Sequence, residues 1–188
     1  MSQLVIFLEE RSAKYLLDEF LPRYLPVGIR HHCIPFEGKQ DLDRQVERRI
    51  KGWISPATAF MILRDQDHSD CKTLKQDLRT KAQNAGRPDT IVRIACRELE
   101  SWYFGDLQAV EAALNLHKLQ QHGAKAKYRT PDKIISPSSE LVRITQGQYQ
   151  KTSGSRAIGR HLDPTRNTSD SFQVFLKGVD KALSSLAL

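Results

Sequence analysis

The chain has 188 residues, 39% of them hydrophobic and 27% charged, with 29 Lys and Arg against 22 Asp and Glu for a net charge of +7. That length and composition suit one domain with a real buried core and exclude collagen, a continuous coiled coil and wholesale disorder. No apolar run approaches the roughly 20 residues that a membrane-crossing helix needs.

Leu4-Val-Ile-Phe-Leu8 is a continuous apolar run, as expected of a strand buried on both faces. Ser12 can cap the next segment, where Tyr15, Leu16, Glu19 and Phe20 fall at helical spacing until Pro22. A less regular strand follows from about Gly28 to Phe36, and Gly38 marks a turn. From Asp41 to Trp53, the residues Leu42, Val46, Ile50 and Trp53 share one helical stripe that ends before Pro56. Thr58-Ala-Phe-Met-Ile-Leu63 is the clearest buried strand, and a helix from about Ser69 to Ala85 stops at Gly86 and Pro88. Thr90 to Cys96 reads as a fourth strand, Arg97 to Phe104 as a short helix and Leu107 to Leu116 as another. This β-α-β-α-β-α-β order predicts an α/β fold, a parallel sheet with helices on both faces, over residues 1–116.

Residues 117–188 read as a basic, mainly helical extension on the same core. Between Lys118 and Arg166 ten basic residues stand against three acidic ones, an excess equal to the net charge of the whole chain. A final amphipathic helix, about Ser171 to Leu186, presents Phe172, Phe175, Val179 and Leu183 to the sheet. The opening residues lack a basic n-region and hold only five apolar residues in a row, so no signal peptide is expected. Three cysteines without a CxxC argue against a disulfide framework and for a cytoplasmic setting.

In parallel α/β sheets, ligands bind beyond the carboxyl ends of the strands. There the sequence places Glu9 and Glu10 after the first strand, Asp65 and Asp67 after the third, and Glu98 and Glu100 after the fourth. Three strand ends each deliver two carboxylates. Residues at i and i+2 of an extended segment point the same way, so Asp65 and Asp67 can share a target. Carboxylates held close repel by a few kcal/mol at an effective dielectric of about 20. A hard divalent cation, Mg²⁺ or Mn²⁺, relieves that repulsion, and two ions roughly 4 Å apart can be held by such a set. The alternative is that these acids cap helices, Asp67 or Ser69 at the helix beginning near Ser69 and Glu98 at the following one.

Other patterns are weaker. His31-His-Cys33 lies inside a predicted strand, where adjacent side chains face opposite ways, so the three do not act as one ligand set. His68 and Cys71 have HxxC spacing but no second pair for zinc. Phosphate-loop, dinucleotide-binding and nucleophile-elbow motifs are absent. Trp53, Trp102 and Tyr103 read as core. In the basic segment, Lys151-Thr-Ser-Gly-Ser-Arg156 has two cations flanking hydroxyls and a glycine, a set able to hold phosphate oxygens, with Arg160 nearby. The other reading is a solvated charged surface.

Leu-Glu-Glu after the first strand, Leu-Arg-Asp-Gln-Asp after the third and Arg-Glu-Leu-Glu-Ser-Trp-Tyr after the fourth resemble the domain-of-unknown-function family 4276, which is grouped with Toprim-like domains. Phe36-Glu-Gly-Lys-Gln-Asp41 and Ser169-Asp-Ser-Phe172 extend the resemblance over nearly the whole chain. It implies a Toprim-like sheet and Mg²⁺-dependent phosphoryl transfer, as in overcoming-lysogenization-defect nucleases. By the same resemblance Glu9 takes the role of the Glu after the first strand and Asp65 and Asp67 that of the DxD pair. Glu98 or Glu100 takes that of the further acid of the nuclease members. Toprim sequences usually place Gly after that first Glu; here Glu10 stands there, so the ligand role stays open between Glu9 and Glu10. Lys151, Arg156 and Arg160 are the expected nucleic-acid contacts. An ATPase of the ABC or structural-maintenance-of-chromosomes type, in an anti-phage setting, is the implied partner, and self-association stays open. The competing expectations are a non-catalytic subunit that senses nucleic acid or a nucleotide on such an ATPase, and a receiver-type domain phosphorylated on Asp65.

Overall fold

Leu4 to Leu8 form the centre of the molecule, each of them fully buried. The computed structural model describes residues 2–186. It places β1 (Gln3–Leu8) between β2 (Arg30–Pro35) and β3 (Thr58–Asp65), with β4 (Ile91–Ala95) beyond β3, in the order β2-β1-β3-β4. All three pairings are parallel, in register Leu4↔His31, Leu8↔Leu63 and Asp65↔Ala95. The sheet flanked by helices is therefore the α/β arrangement expected from the alternating pattern.

The alternation of side chains along β1 divides the core in two. Val5 and Phe7 face α2 (Lys39–Lys51) and α3 (Cys71–Asn84) through Leu42, Val46, Ile50, Leu74 and Leu78. Leu4, Ile6 and Leu8 face the opposite layer, which starts with α1 (Arg11–Tyr24). Pro22 lies inside that helix rather than ending it: in the last turn it removes one bond and leaves the rest of the ladder intact.

The second half of the chain completes that layer with α4 (Glu100–Phe104), α5 (Leu107–Leu114), α6 (Gln120–Gly123), a 3-10 turn (Pro131–Lys133), α7 (Pro137–Ile144), α8 (Lys151–Gly159) and α9 (Asp170–Ser184). Trp102 and Tyr103 are fully buried, as expected of core residues. The Trp102 ring lies 5.1 Å from Phe172 and 5.0 Å from Phe175, and its indole N–H donates to Ser171 Oγ at 3.0 Å. Burying each such aromatic side chain contributes roughly 1.5–3 kcal/mol, which is what docks α9 on α4. Helices α1 and α8 touch closely at Gly159, where a Cβ would come within 2.5 Å of the Leu16 carbonyl oxygen. Only glycine permits that approach, and it fixes where the start of α8 reaches.

Candidate metal centre

With the order β2-β1-β3-β4, the connections from β1 and from β3 leave in opposite directions across the sheet. The crevice between their carboxyl ends is the topological switch point, where doubly wound sheets take their ligands. Glu9 follows β1 directly, and Asp65 is the last residue of β3. The Asp65 backbone N–H donates to Glu9 Oε2 at 3.3 Å, and Arg64 Nε lies 3.7 Å from the same oxygen. Arg64 is itself buried and holds both oxygens of Asp43 at 2.8 Å. Burial, then Asp67, raises the Glu9 carboxyl above its usual range, while Arg64 opposes the rise.

Beyond Asp65 the chain turns. Gln66 N–H donates to the Ala95 carbonyl and Asp67 N–H to the Arg97 carbonyl, which clips this loop to the end of β4. Asp67 sits at φ 51°, in the left-handed region. The i, i+2 alternation therefore ends at Asp65, and the expected common aim of Asp65 and Asp67 is not a strand property. Asp67 pairs with Lys39 at 3.1 Å and acts electrostatically on Glu9, whereas Asp65 is surrounded by Glu100, Glu9 and Glu10. Burial first, and those three charges next, push the Asp65 carboxyl well above its ordinary range.

The segment after β4 divides its two acids. Glu98 Oε2 accepts from the Ser138 backbone N–H at 2.7 Å, at the start of α7, so it serves a helix N-terminus forty residues ahead. Glu100 opens α4 and is completely buried. Its Oε1 accepts from the Tyr149 hydroxyl at 2.8 Å, and its Oε2 has no hydrogen-bond partner. Burial raises its pKa, with Tyr149 and Lys151 opposing. A buried carboxylate oxygen left without a donor is costly unless it meets a cation.

Helix α8 brings the cation that is present. Lys151 Nζ lies 2.7 Å from Glu10 Oε1, which also accepts from Ser12 Oγ at 2.8 Å. Burial disfavours the Lys151 ammonium, but Glu10, Glu100 and Asp65 carry its pKa upward on balance. Tyr103 hydroxyl donates to Ser155 Oγ at 2.8 Å, and Ser155 Oγ donates to the Lys151 carbonyl, which ties α4 to the first turn of α8. Lys151 to Arg156, read above as a set able to hold phosphate oxygens, forms the first turns of α8. Its Arg156 guanidinium stacks 4.2 Å above the Tyr15 ring, and Arg160 pairs with Glu19 at 3.1 Å on the far end of α8. The cap of α3 is Asp70, whose side chain accepts from Thr73 N–H, rather than Asp67 or Ser69.

Glu10, Asp65 and Glu100 therefore gather around Lys151, Glu9 joins them through Asp65 and Asp67 through Glu9, and Glu98 is committed to α7. Among the described residues, no three of these carboxylates offer ligand atoms all within 4.8 Å of one another; Asp18, His31 and Cys33 do. Tyr149 and Tyr103 were not anticipated as parts of the site. Tyr103 lies three residues after Glu100 on α4 itself, whereas only the packing of the segment before α8 brings Tyr149 to Glu100.

The family model for the domain of unknown function DUF4276 matches residues 8–180. The chain belongs to the DUF4276 family. The matched span takes in every acidic residue named above, together with Lys151. A search of curated proteins finds no significant match. Among solved structures, the fold of this DUF4276 chain is similar to the C-terminal region of the Burkholderia pseudomallei OLD protein, with a TM-score of 0.52 and 12% identity over 97% of this chain and 98% of that one. The parallel sheet flanked by helices that the sequence predicts is the architecture observed, and it is shared with that region. No helix among the described residues is long and apolar enough to cross a membrane.

Proposed function

We propose that this protein is a divalent-metal-dependent nuclease that hydrolyses phosphodiester bonds of nucleic acid. The observation that carries the proposal is that Glu9 and Glu100, from two other strand ends, both lie close enough to Asp65 to act on its charge, with Glu100 Oε2 buried and lacking a donor near the ammonium of Lys151. All-oxygen, carboxylate-rich donors suit Mg²⁺ or Mn²⁺. In this reading Glu9, Asp65 and Glu100 hold the ion, with Glu10 and Asp67 at its edge. A bound ion of this kind supplies positive charge to the phosphate oxygens and a more acidic water.

The chain's own residues do the rest. Arg64 and the Asp65 N–H fix the Glu9 carboxylate, and the Tyr149 hydroxyl fixes one oxygen of Glu100 and leaves the other without a donor. Lys151 exchanges Glu10 for a phosphate oxygen of the substrate, placing a cation where negative charge grows. Arg156 and Arg160, on the same helix, extend the cationic track along the nucleic-acid backbone, and Arg160 leaves Glu19 to do so. The resemblance to overcoming-lysogenization-defect nucleases supports an ATPase partner of the ABC or structural-maintenance-of-chromosomes type and a role in anti-phage defence.

A nicking assay on circular DNA and on RNA with Mg²⁺ or Mn²⁺ tests this. Cleavage is expected from the native chain, none from Asp65→Asn, and a loss on the order of 10²-fold from Lys151→Met. Cleavage that survives Asp65→Asn removes the mechanism. The spread of the carboxylates favours one other reading, a non-catalytic subunit that senses nucleic acid or a nucleotide on an ATPase. Metal binding without turnover, together with a stable ATPase complex, selects it.

A further inference from the structure

A second cluster of ligand-type side chains lies at the other end of the sheet. His31 and Cys33 are separated by one residue on β2 and share the face that looks onto α1, while His32 turns to the opposite face beside Trp53. Asp18, on the middle of α1, meets them. One ligand atom from each of Asp18, His31 and Cys33 falls within 4.8 Å of the other two. Asp18 divides its oxygens: Oδ2 is ion-paired to Lys14 Nζ at 2.5 Å, and Oδ1 faces His31 Nε2 at 3.7 Å. Cys33 is only 7% exposed, so its sulfur is shielded from solvent and aimed into this cluster. His31 pairs with Leu4, five residues before Glu9, which puts the cluster about 16 Å along the sheet from the carboxylate centre.

We propose that Asp18, His31 and Cys33 form a zinc-class metal site that staples the edge strand β2 to α1. A carboxylate, an imidazole and a thiolate together suit Zn²⁺, not the Mg²⁺ or Mn²⁺ of the all-oxygen centre. The thiol proton leaves to solvent as the sulfur binds the ion, and no electron is transferred. Lys14 plays the part of an outer partner that orients the carboxylate and leaves Oδ1 available. Three protein ligands leave a fourth position for water on the side of the partly exposed His31. The sequence pattern alone points away from this site, because the adjacent His32 does face the other way. The unit is the i, i+2 pair joined by a helix residue thirteen positions earlier than His31.

The test is a Co²⁺ titration of the full chain, read by the sulfur-to-cobalt charge-transfer band in the near ultraviolet, with Zn²⁺ competition. A band that saturates at one equivalent of thiolate-bound Co²⁺ per chain and is displaced by Zn²⁺ is expected. Cys33→Ser removes the band, and His31→Gln and Asp18→Asn weaken Co²⁺ and Zn²⁺ binding on the order of 10-fold or more. Cys71→Ser and Cys96→Ser leave the band unchanged, as does Asp65→Asn, so this site stands or falls apart from the nuclease reading. Zn²⁺ at about 100 times its Kd raises the folded-to-unfolded ratio about 100-fold in the native chain. No charge-transfer band, or one that survives Cys33→Ser, overturns the proposal and leaves a hydrogen-bonded Asp-His-Cys cluster. If Cys33→Ser does not fold, undiminished binding by His31→Gln, which alters a partly exposed side chain, overturns it equally.

Discussion

Asp65→Asn separates a metal centre from a merely structural cluster of acids without any need to know the substrate. Asp65 is the half-buried last residue of β3, with Glu9, Glu10 and Glu100 near it in a setting that disfavours its charge. Two unit charges roughly 6 Å apart at an effective dielectric of about 20 repel by about 3 kcal/mol. Partial protonation and the nearby Lys151 ammonium offset part of this, so removing the Asp65 charge is expected to stabilise the ion-free protein by about 2 kcal/mol. For a chain of this size that is an increase in Tm of roughly 4–8 °C. In chelator, Asp65→Asn therefore melts above the native chain by circular dichroism. Adding Mg²⁺ or Mn²⁺ raises the native Tm and moves the variant little, so the gap closes or reverses. Functional sites commonly sacrifice stability in this way. If the variant melts below the native chain in chelator, or if the ion shifts both equally, the carboxylates are not a cation site.

Three further outcomes are expected. Gly159→Ala places a methyl group within 2.5 Å of the Leu16 carbonyl and should lower stability by about 1–3 kcal/mol in urea denaturation, with loss of nicking as α8 and Lys151 shift; a gain in stability contradicts the packing described. Glu140 is held down to about 2 by Lys127, the Tyr128 hydroxyl and Arg143. Its folded pKa lies below the ordinary 4.5, so its contribution is present above pH 4.5 and fades as pH falls toward 2. Glu140→Gln should then cost about 1 kcal/mol at pH 7, chiefly through the Tyr128 bond because the two cations are exposed, and the difference should vanish near pH 2. Tyr149→Phe leaves Glu100 Oε1 without its donor as well, and should reduce metal-dependent nicking while far-ultraviolet circular dichroism is unchanged; full activity would exclude an orienting role for Tyr149.

The strands announce themselves because residues buried on both faces leave an uninterrupted apolar run, as Leu4 to Leu8 and Thr58 to Leu63 do. Once a parallel sheet is inferred, the acids that follow each strand are placed near one edge by topology alone, and Glu9 and Glu100 both lie near Asp65 there. The roles that depend on distant partners are not legible. Glu98 and Glu100 look equivalent in sequence, yet one caps a helix that begins near Ser138 and the other is sealed under Tyr149, according to how α7 and α8 dock. Asp67 departs from its extended pattern because its N–H is needed by the Arg97 carbonyl. The hydroxyl-rich segment from Lys151 looks like a loop by composition, but packing against Tyr103 and Tyr149 makes it helix. Likewise His31 and Cys33 gain meaning only when α1 brings Asp18 over the edge strand.

The most direct measurement is a crystal of the full chain soaked in Mn²⁺ and measured for anomalous scattering. The account predicts a peak bounded by the carboxylates of Glu9, Asp65 and Glu100, next to the Lys151 ammonium and beyond the carboxyl ends of β1 and β3. Crystals in which those carboxylates bind no manganese at millimolar concentration would contradict it.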